Sequence, residues 1–237
     1  MSLLDLIFPK KCVNCKRFGD FLCADCFSKI RYNESSQCPV CLKASIDGFT
    51  HRECKAEYSI DGVISAVVYS QVTRKMIRQF KYKPYVSGIA ETIASIMNEG
   101  LAQNESFYHF VEQFGPVAVP IPLSPKRLRE RGYNHAEIIA SHVAKYFNLV
   151  MSNKLLVRIK DTKPQYRLNK EERKKNIEGA FSVRKNPNPP AGGPNIPKAV
   201  IIIDDLATSL ATLKEAAKVL KRAGSKRVLG VTFAREI

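Results

Sequence analysis

All seven cysteines of this 237-residue chain lie between positions 12 and 54. They form three Cys-x-x-Cys pairs, Cys12/Cys15, Cys23/Cys26 and Cys38/Cys41, and a His51-x-x-Cys54 pair completes the series. Each pair can turn two side chains toward one cation. Eight ligands then divide into two tetrahedral sets of thiolate and imidazole, the donor combination that favours zinc. The odd cysteine number speaks against the disulfide framework of a small secreted domain. The start of the chain, Met1 to Pro9, lacks the basic residues, long apolar stretch and small-residue cleavage site of a signal peptide. No apolar run reaches the ~20 residues of a bilayer span. These features predict a cytoplasmic protein holding two structural Zn²⁺ ions. Closed four-ligand sites leave no position for a reacting water, so the ions would substitute for a core too small to fold alone. Two pairings are open. Sequential sets (Cys12, Cys15, Cys23, Cys26, then Cys38, Cys41, His51, Cys54) close the shorter loops, which loop-closure entropy mildly favours, and a cross-braced arrangement uses alternate pairs. The other reading of His51 is a solvated loop histidine.

A division into a zinc module at 1–58 and a second domain at 59–237 follows, because the remaining residues suffice for one globular domain with a sizeable core. Residues 55–60 are too few for a long flexible linker, so the two parts should pack together. Beyond them, Val63–Tyr69 is a β-branched run, Thr73–Tyr82 and Ile89–Met97 read as helices, and Val117–Ile121 reads as a short buried strand. A helix over His135–Phe147, a strand near Leu155–Val157 and a Lys/Arg-rich segment through Lys175 come next. The alternation of strand and helix predicts an α/β fold with a parallel-rich sheet flanked by helices. Asn186–Pro197, rich in proline, reads as a solvated insertion.

After that insertion, Ala199–Ile203 is an apolar strand, Asp204 and Asp205 follow at its carboxyl end, and Ala207–Thr212 leads to a helix over Leu213–Arg222 and a strand over Arg227–Phe233. Parallel sheets bind ligands beyond the carboxyl ends of their strands. Two carboxylates suit sugar hydroxyls, while the hydroxyls of Thr208, Ser209 and Thr212, with the N–H groups opening the next helix, suit a phosphate. A ribose 5-phosphate fits both halves. The plainer reading makes Asp205 and Thr208 caps of the following helix.

The stretch IIIDDLATSLATLKEA resembles the phosphoribosyl-pyrophosphate (PRPP) loop of type I phosphoribosyltransferases. PIPLSPKRLRERGYNHAEIIA at 120–140, LLVRIKDTKPQYRLNKEERKKNIEGAF at 155–181 and VLGVTFAR at 228–235 extend the likeness. With the cysteine module, the whole chain is similar to the ComF/GntX family of competence-associated proteins. The resemblance implies a double zinc-ribbon module followed by a type I phosphoribosyltransferase-like domain. It implies Asp204 and Asp205 as the catalytic pair, contacting ribose hydroxyls directly or through Mg²⁺. Thr208, Ser209, Leu210, Ala211 and Thr212 would wrap the 5-phosphate. Pro120–Pro122 would lie beside the pyrophosphate, Arg127, Arg129 and Arg131 would neutralise it, and the segment from Arg167 to Asn176 would close as a hood. Three positions depart from the family pattern: Leu210 stands where glycine is usual, Ser124 where histidine is common, and His135 where glutamine is common. Leucine carries a steric cost where the backbone needs positive φ.

A formal charge of +16, with much of the excess between residues 126 and 185, suits a polyanionic partner, although lysines on solvated faces give the same total. Tyr133, Tyr146, Tyr166 and Phe181 are interspersed as candidate stacking platforms. The expected function is DNA handling in natural transformation, with single-stranded DNA and PRPP as ligands and proteins of the uptake machinery as partners. The alternatives are an active Mg²⁺-dependent phosphoribosyltransferase with an unknown nitrogen acceptor and a PRPP-sensing scaffold.

Overall fold

Alternate residues of the run Val200–Ile203 face opposite ways: Ile201 and Ile203 join the core on one side of the sheet, Val200 and Ile202 that on the other, and all four are buried. A strand apolar on both sides belongs in the middle of a sheet covered by two helical layers. The computed structural model places it there and describes residues 10–33, 36–82, 86–162, 169–184 and 196–236. Four strands, β1 (Gly62–Val68), β2 (Val117–Pro120), β5 (Ala199–Ala207) and β6 (Arg227–Arg235), form a sheet in the order β1-β6-β5-β2. Every pairing in it is parallel.

One helical layer consists of α2 (Gln71–Tyr82), α3 (Val86–Ala102), α4 (Glu105–Phe114) and α6 (His135–Tyr146). Val72, Met76 and Phe80 of α2 recur every four residues and are buried with Ile89, Ile93 and Met97 of α3. The other layer is built on α8 (Ala211–Arg222), with Leu213, Ala217 and Leu220 buried on Val119, Val200 and Val228. α5 (Pro125–Arg131) is a short helix beyond β2, with Ser124 at its N-cap and Gly132 ending it at φ 80°.

The expected parallel-rich α/β sheet is observed, with corrections at five places. The strand near Leu155–Val157 does not join the main sheet. As β3 (Leu156–Arg158) it pairs antiparallel with β4 (Phe181–Val183), and α7 (Lys170–Ile177) lies between them in sequence. β5 continues four residues beyond Ile203 because β6 continues to pair with it, Asp204 opposite Thr232 and Ala207 opposite Arg235. α8 begins at Ala211, two residues early, and α3 extends beyond Ile89–Met97 at both ends. Helix α4 was not anticipated, although Asn104, which accepts from the Phe107 N–H at 2.7 Å, and the left-handed Gly115 mark its two ends.

The cysteine-rich segment, with the single-turn helix α1 (Ala24–Phe27), packs on the free edge of β1. Tyr32 bridges Val67 antiparallel, the Val68 N–H donates to the Arg31 carbonyl at 2.9 Å, and Phe49 bridges Gly62. At the opposite edge, residues around Met151 cover β2, with the Ala118 N–H donating to the Val150 carbonyl. Both sheet edges are thereby paired, which removes an aggregation template. Residues 1–9, most of the 186–197 insertion, Tyr166 and Arg167 lie outside the described residues.

Candidate functional site

Two groups of metal-ligating side chains gather in the module: Cys12, Cys15, Cys23 and Cys26, and Cys38, Cys41, His51 and Cys54. The pairing is therefore sequential. Within each set the ligand atoms lie within 4.8 Å of one another. Cys15 and Cys23 sulfurs are 3.6 Å apart, close to the ~3.8 Å edge of a tetrahedron with Zn–S bonds of about 2.3 Å. His51 turns Nδ1 toward Cys41 Sγ at 3.3 Å, while Nε2 lies 2.9 Å from the Ala44 carbonyl. A ring whose second nitrogen donates to a carbonyl is oriented as a metal-binding histidine usually is. The donor set fits zinc, and all four positions of each site are filled by side chains.

A cleft of about 770 Å³ opens at the carboxyl edge of the sheet. Asp204 and Asp205 enter it from β5, followed by the loop Thr208–Thr212, and Arg127 and Arg131 enter from α5. Arg158 of β3 and Arg173 of α7 line the same space, so the small antiparallel sheet and the helix between its strands overhang the loop. Arg173 Nη1 donates to Thr208 Oγ1 at 2.9 Å, which ties the anticipated hood segment to the phosphate-type loop. Arg129, by contrast, is exposed and is not among the residues lining the cleft. It falls on the outer side of a helix whose inner side carries Arg127 and Arg131. Phe181 is also a correction: at 4% exposure, under the Arg158 guanidinium, it is not available for stacking on bases. Tyr133 is half-buried and its hydroxyl donates to the Phe80 carbonyl.

The two aspartates occupy different environments. Asp205 is buried, with Lys81 Nζ 2.7 Å from one oxygen and His135 Nε2 3.3 Å from the other. Burial alone would raise its pKa, but Lys81 and then His135 outweigh that and hold the carboxyl far below the usual range. Burial also lowers the pKa of His135, against the attraction of Asp205. Arg131 Nη1 lies 3.2 Å from His135 Nδ1. An arginine only donates, so Nδ1 accepts and the neutral ring carries its proton on Nε2, facing Asp205. Asp204 is pushed the other way. Burial, and next the Asp205 charge, raise its pKa to about 8, with Lys81 opposing. One carboxylate is thus held ionised within a structural network, and the other is left beside the cleft with its charge disfavoured.

Around this pair the charge is mostly positive. Arg158 is 7% exposed, and its pKa is lowered to about 10 by burial and by the neighbouring Arg127, with Asp204 opposing. Both arginines bond Thr162, Arg127 at its carbonyl at 3.1 Å and Arg158 at its hydroxyl. The Arg158 Nε has no partner among the described residues. Two like charges in one wall, with a buried donor unused, are the arrangement an anion would complete. Leu210 joins the loop to α8 as its N-cap in the left-handed region, at φ 60° and ψ 1°, with its side chain 4% exposed in the core under α8. The backbone therefore keeps the conformation for which glycine is the usual residue. Ser124 and His135, the other two departures, are both buried, Ser124 as the cap of α5 and His135 in the Asp205 network.

Of the residues singled out in the sequence, the acidic pair, the loop, Arg127 and Arg131 line the cleft, as do Lys81 and Arg158, which were not among them. Lys81 follows the buried Phe80 at the end of α2 and carries no signal separating it from a solvated lysine. Arg158 follows an apolar strand, and only the antiparallel pairing with β4 turns it inward.

Comparison with known proteins matches residues 3–56 to the double zinc ribbon domain. Competence protein F of Haemophilus influenzae is 26% identical over 208 residues, covering 87% of this chain and 81% of that protein. Competence protein ComFC of Bacillus subtilis is 30% identical over 215 residues, 86% of this chain and 79% of the relative. The protein of that name from Streptococcus pneumoniae is 27% identical over 219 residues, 90% and 87% of the two chains.

Proposed function

The chain belongs to the ComF family, and from that premise we propose that it serves DNA uptake by handling single-stranded DNA, with PRPP as the ligand of its cleft. The relatives are competence proteins by name, which supports the DNA role. The observation that carries the ligand reading is Arg158, buried with its Nε unpartnered among the described residues, lining the same cleft as Arg127 and a loop of hydroxyls at the start of a helix. Helix N–H groups and guanidinium donors together select a phosphate or pyrophosphate.

In this reading Thr208, Ser209 and Thr212 hold the 5-phosphate, Arg127 and Arg158 face the pyrophosphate, and Asp204 receives the ribose hydroxyls. The Asp204 carboxylate, one oxygen of which accepts from the Asp205 N–H at 2.9 Å, also fits Mg²⁺, which keeps several waters and takes oxygens from a phosphorylated ligand. Bound there with the ligand, the ion would neutralise pyrophosphate charge. Asp205 acts through Lys81 and His135 as a strut that fixes the end of β5. With Leu210 at a left-handed position the loop favours holding a ligand over turnover, since chemistry needs tighter geometry than binding does. Pyrophosphate release that depends on Asp204 would instead establish the active phosphoribosyltransferase.

For DNA, the exposed Lys126 of α5 and Lys174 and Lys175 of α7 provide phosphate contacts near the cleft mouth. The test is a fluorescence-anisotropy titration of labelled mixed-sequence single-stranded DNA with metal-replete protein across a salt series. The expected result is an affinity whose logarithm falls linearly with log salt, by roughly 0.7 per phosphate bound. Absence of binding at moderate salt would remove the DNA role. Calorimetry with PRPP and Mg²⁺, with Asp204→Ala as control, tests the cleft separately.

A further inference from the structure

A second depression, of about 430 Å³, lies between α3 and α6, away from the cleft, and its charge is opposite to that of the chain. Residues 86–125 contain the glutamates Glu91, Glu99, Glu105 and Glu112 and no lysine or arginine, in a chain of net charge +16. Glu91, Ser95, Asn98 and Glu99 recur at helical spacing along α3 and line the groove, facing His142 and Tyr146 one turn apart on α6. Asn98 is 8% exposed, and its Oδ1 has no hydrogen-bond partner among the described residues. An acceptor left unsatisfied at that depth is costly unless something donates to it. Glu99 Oε2 accepts from the Tyr32 hydroxyl at 2.5 Å, which holds that carboxylate at the rim. The Tyr146 ring is 60% exposed at the same site.

We propose that this groove docks an arginine side chain presented by a basic segment of a protein partner. The ligand that suits it is a cation carrying N–H donors, because the unmet group in the groove, Asn98 Oδ1, is an acceptor and the rim carries Glu91 and Glu99. A planar guanidinium carries five N–H donors, enough to serve Asn98 Oδ1 and a rim carboxylate together, and its face stacks on an aromatic ring such as Tyr146. An ammonium group offers a point charge without the stacking. Nucleic acid is repelled by the four glutamates, so this surface is separate in chemistry from the DNA-handling role and does not depend on it.

The probe is a fluorescein-labelled alanine-based peptide with two arginines four residues apart, titrated into full-length, metal-replete protein at about 0.1 M salt. The expected result is saturable binding, weakened at least tenfold by Glu91→Gln and by Ser95→Arg. Ser95 is exposed and arginine is a good helix former, so Ser95→Arg fills the groove without opening the core. Single-stranded DNA affinity should not fall in either variant, and their melting temperatures should stay at the parent value. No binding of the peptide, equal binding of its citrulline counterpart, or unchanged binding to Ser95→Arg would overturn the proposal. So would displacement of the peptide by equimolar spermidine, which would mark a polyamine site. Self-association of the free protein that Ser95→Arg abolishes would assign the groove to a second copy and also overturn it.

Discussion

Leu210 sets two local demands against each other. A non-glycine residue in the left-handed region costs about 1–2 kcal/mol, yet this side chain is buried in the core beneath α8. Removing a buried leucine costs roughly 3–5 kcal/mol, so Leu210→Gly should lower stability by about 1–4 kcal/mol, read as an earlier urea midpoint. The same substitution should raise PRPP affinity in calorimetry, because glycine lets backbone N–H groups approach a phosphate. A loss of affinity would show that the leucine shapes the loop productively. Asp204 makes a second prediction. Its pKa is raised by folding, so the folded state retains a proton that the unfolded chain releases above the ordinary carboxylate value near 4. The stability contributed by that proton is complete at low pH and declines from about pH 4 to about 8. Asp204→Asn keeps the neutral form at every pH. Its melting temperature should therefore exceed the parent's by a margin that grows from pH 5 to pH 8 and then levels. A margin that shrinks with pH would contradict the assignment. Lys81→Met, which leaves Asp205 buried without its lysine, should cost about 3 kcal/mol. Asp205→Asn together with Lys81→Met should recover part of that loss.

Among elements, the packing of the zinc module on β1 is tightly constrained. Gly48 has φ +78°, and a Cβ there would lie 2.2 Å from the Val63 carbonyl oxygen, a backbone atom of β1. Gly48→Ala should therefore loosen the module from the strand, read as faster amide exchange over residues 62–68 with two zinc ions still bound by elemental analysis. Chelation of zinc should act more broadly. With the ligand loops released, Tyr32 and Phe49 lose the scaffold that holds them on the β1 edge, and the exposed strand should promote aggregation. Cys54→Ser should reduce the zinc content from two equivalents to one, because the two sequential sets share no ligand. The elements legible from sequence are those with strong periodicity, such as α2 and β5. Helix α4 carries a periodic signal too, with Phe107 and Phe110 buried three residues apart between the caps Asn104 and Gly115, whereas β4 is three residues long and is decided by its pairing, Leu156 opposite Val183.

At the scale of the whole molecule, charge is segregated. Cations gather at the carboxyl edge of the sheet and on α5 and α7, while the surface formed by α3 and α4 carries glutamates alone. Among the described residues no helix is long and apolar enough to cross a membrane. Such segregation lets one chain attract a polyanion on one side without covering the other, and it predicts opposite salt and mutational responses for the two surfaces. Lys174→Glu with Lys175→Glu should weaken single-stranded DNA binding and flatten its salt slope by about 1.4, at roughly 0.7 for each phosphate that the protein no longer neutralises. The same change should leave the arginine-peptide affinity unaltered. A common response at both surfaces would mean that net charge alone, and no local arrangement, governs binding.

The local pattern was enough to single out the eight metal-ligating side chains that the fold gathers into two sets, the parallel-rich α/β architecture and the strand, acidic pair and hydroxyl loop, because metal-ligand spacing and apolar period are properties of neighbouring residues. It could not divide the labour between Asp204 and Asp205. That division depends on Lys81 and His135, which reach Asp205 from two helices of the same layer. Nor could it place Arg158, remove Arg129 from the cleft or bury Phe181, since each depends on which way a side chain turns once β3 leaves the main sheet for β4. The groove at Asn98 was beyond it altogether, as the unmet acceptor exists only where α6 closes over α3. Spacing along the chain determines what a residue is able to do; burial and the approach of distant charges determine which of those capacities it keeps.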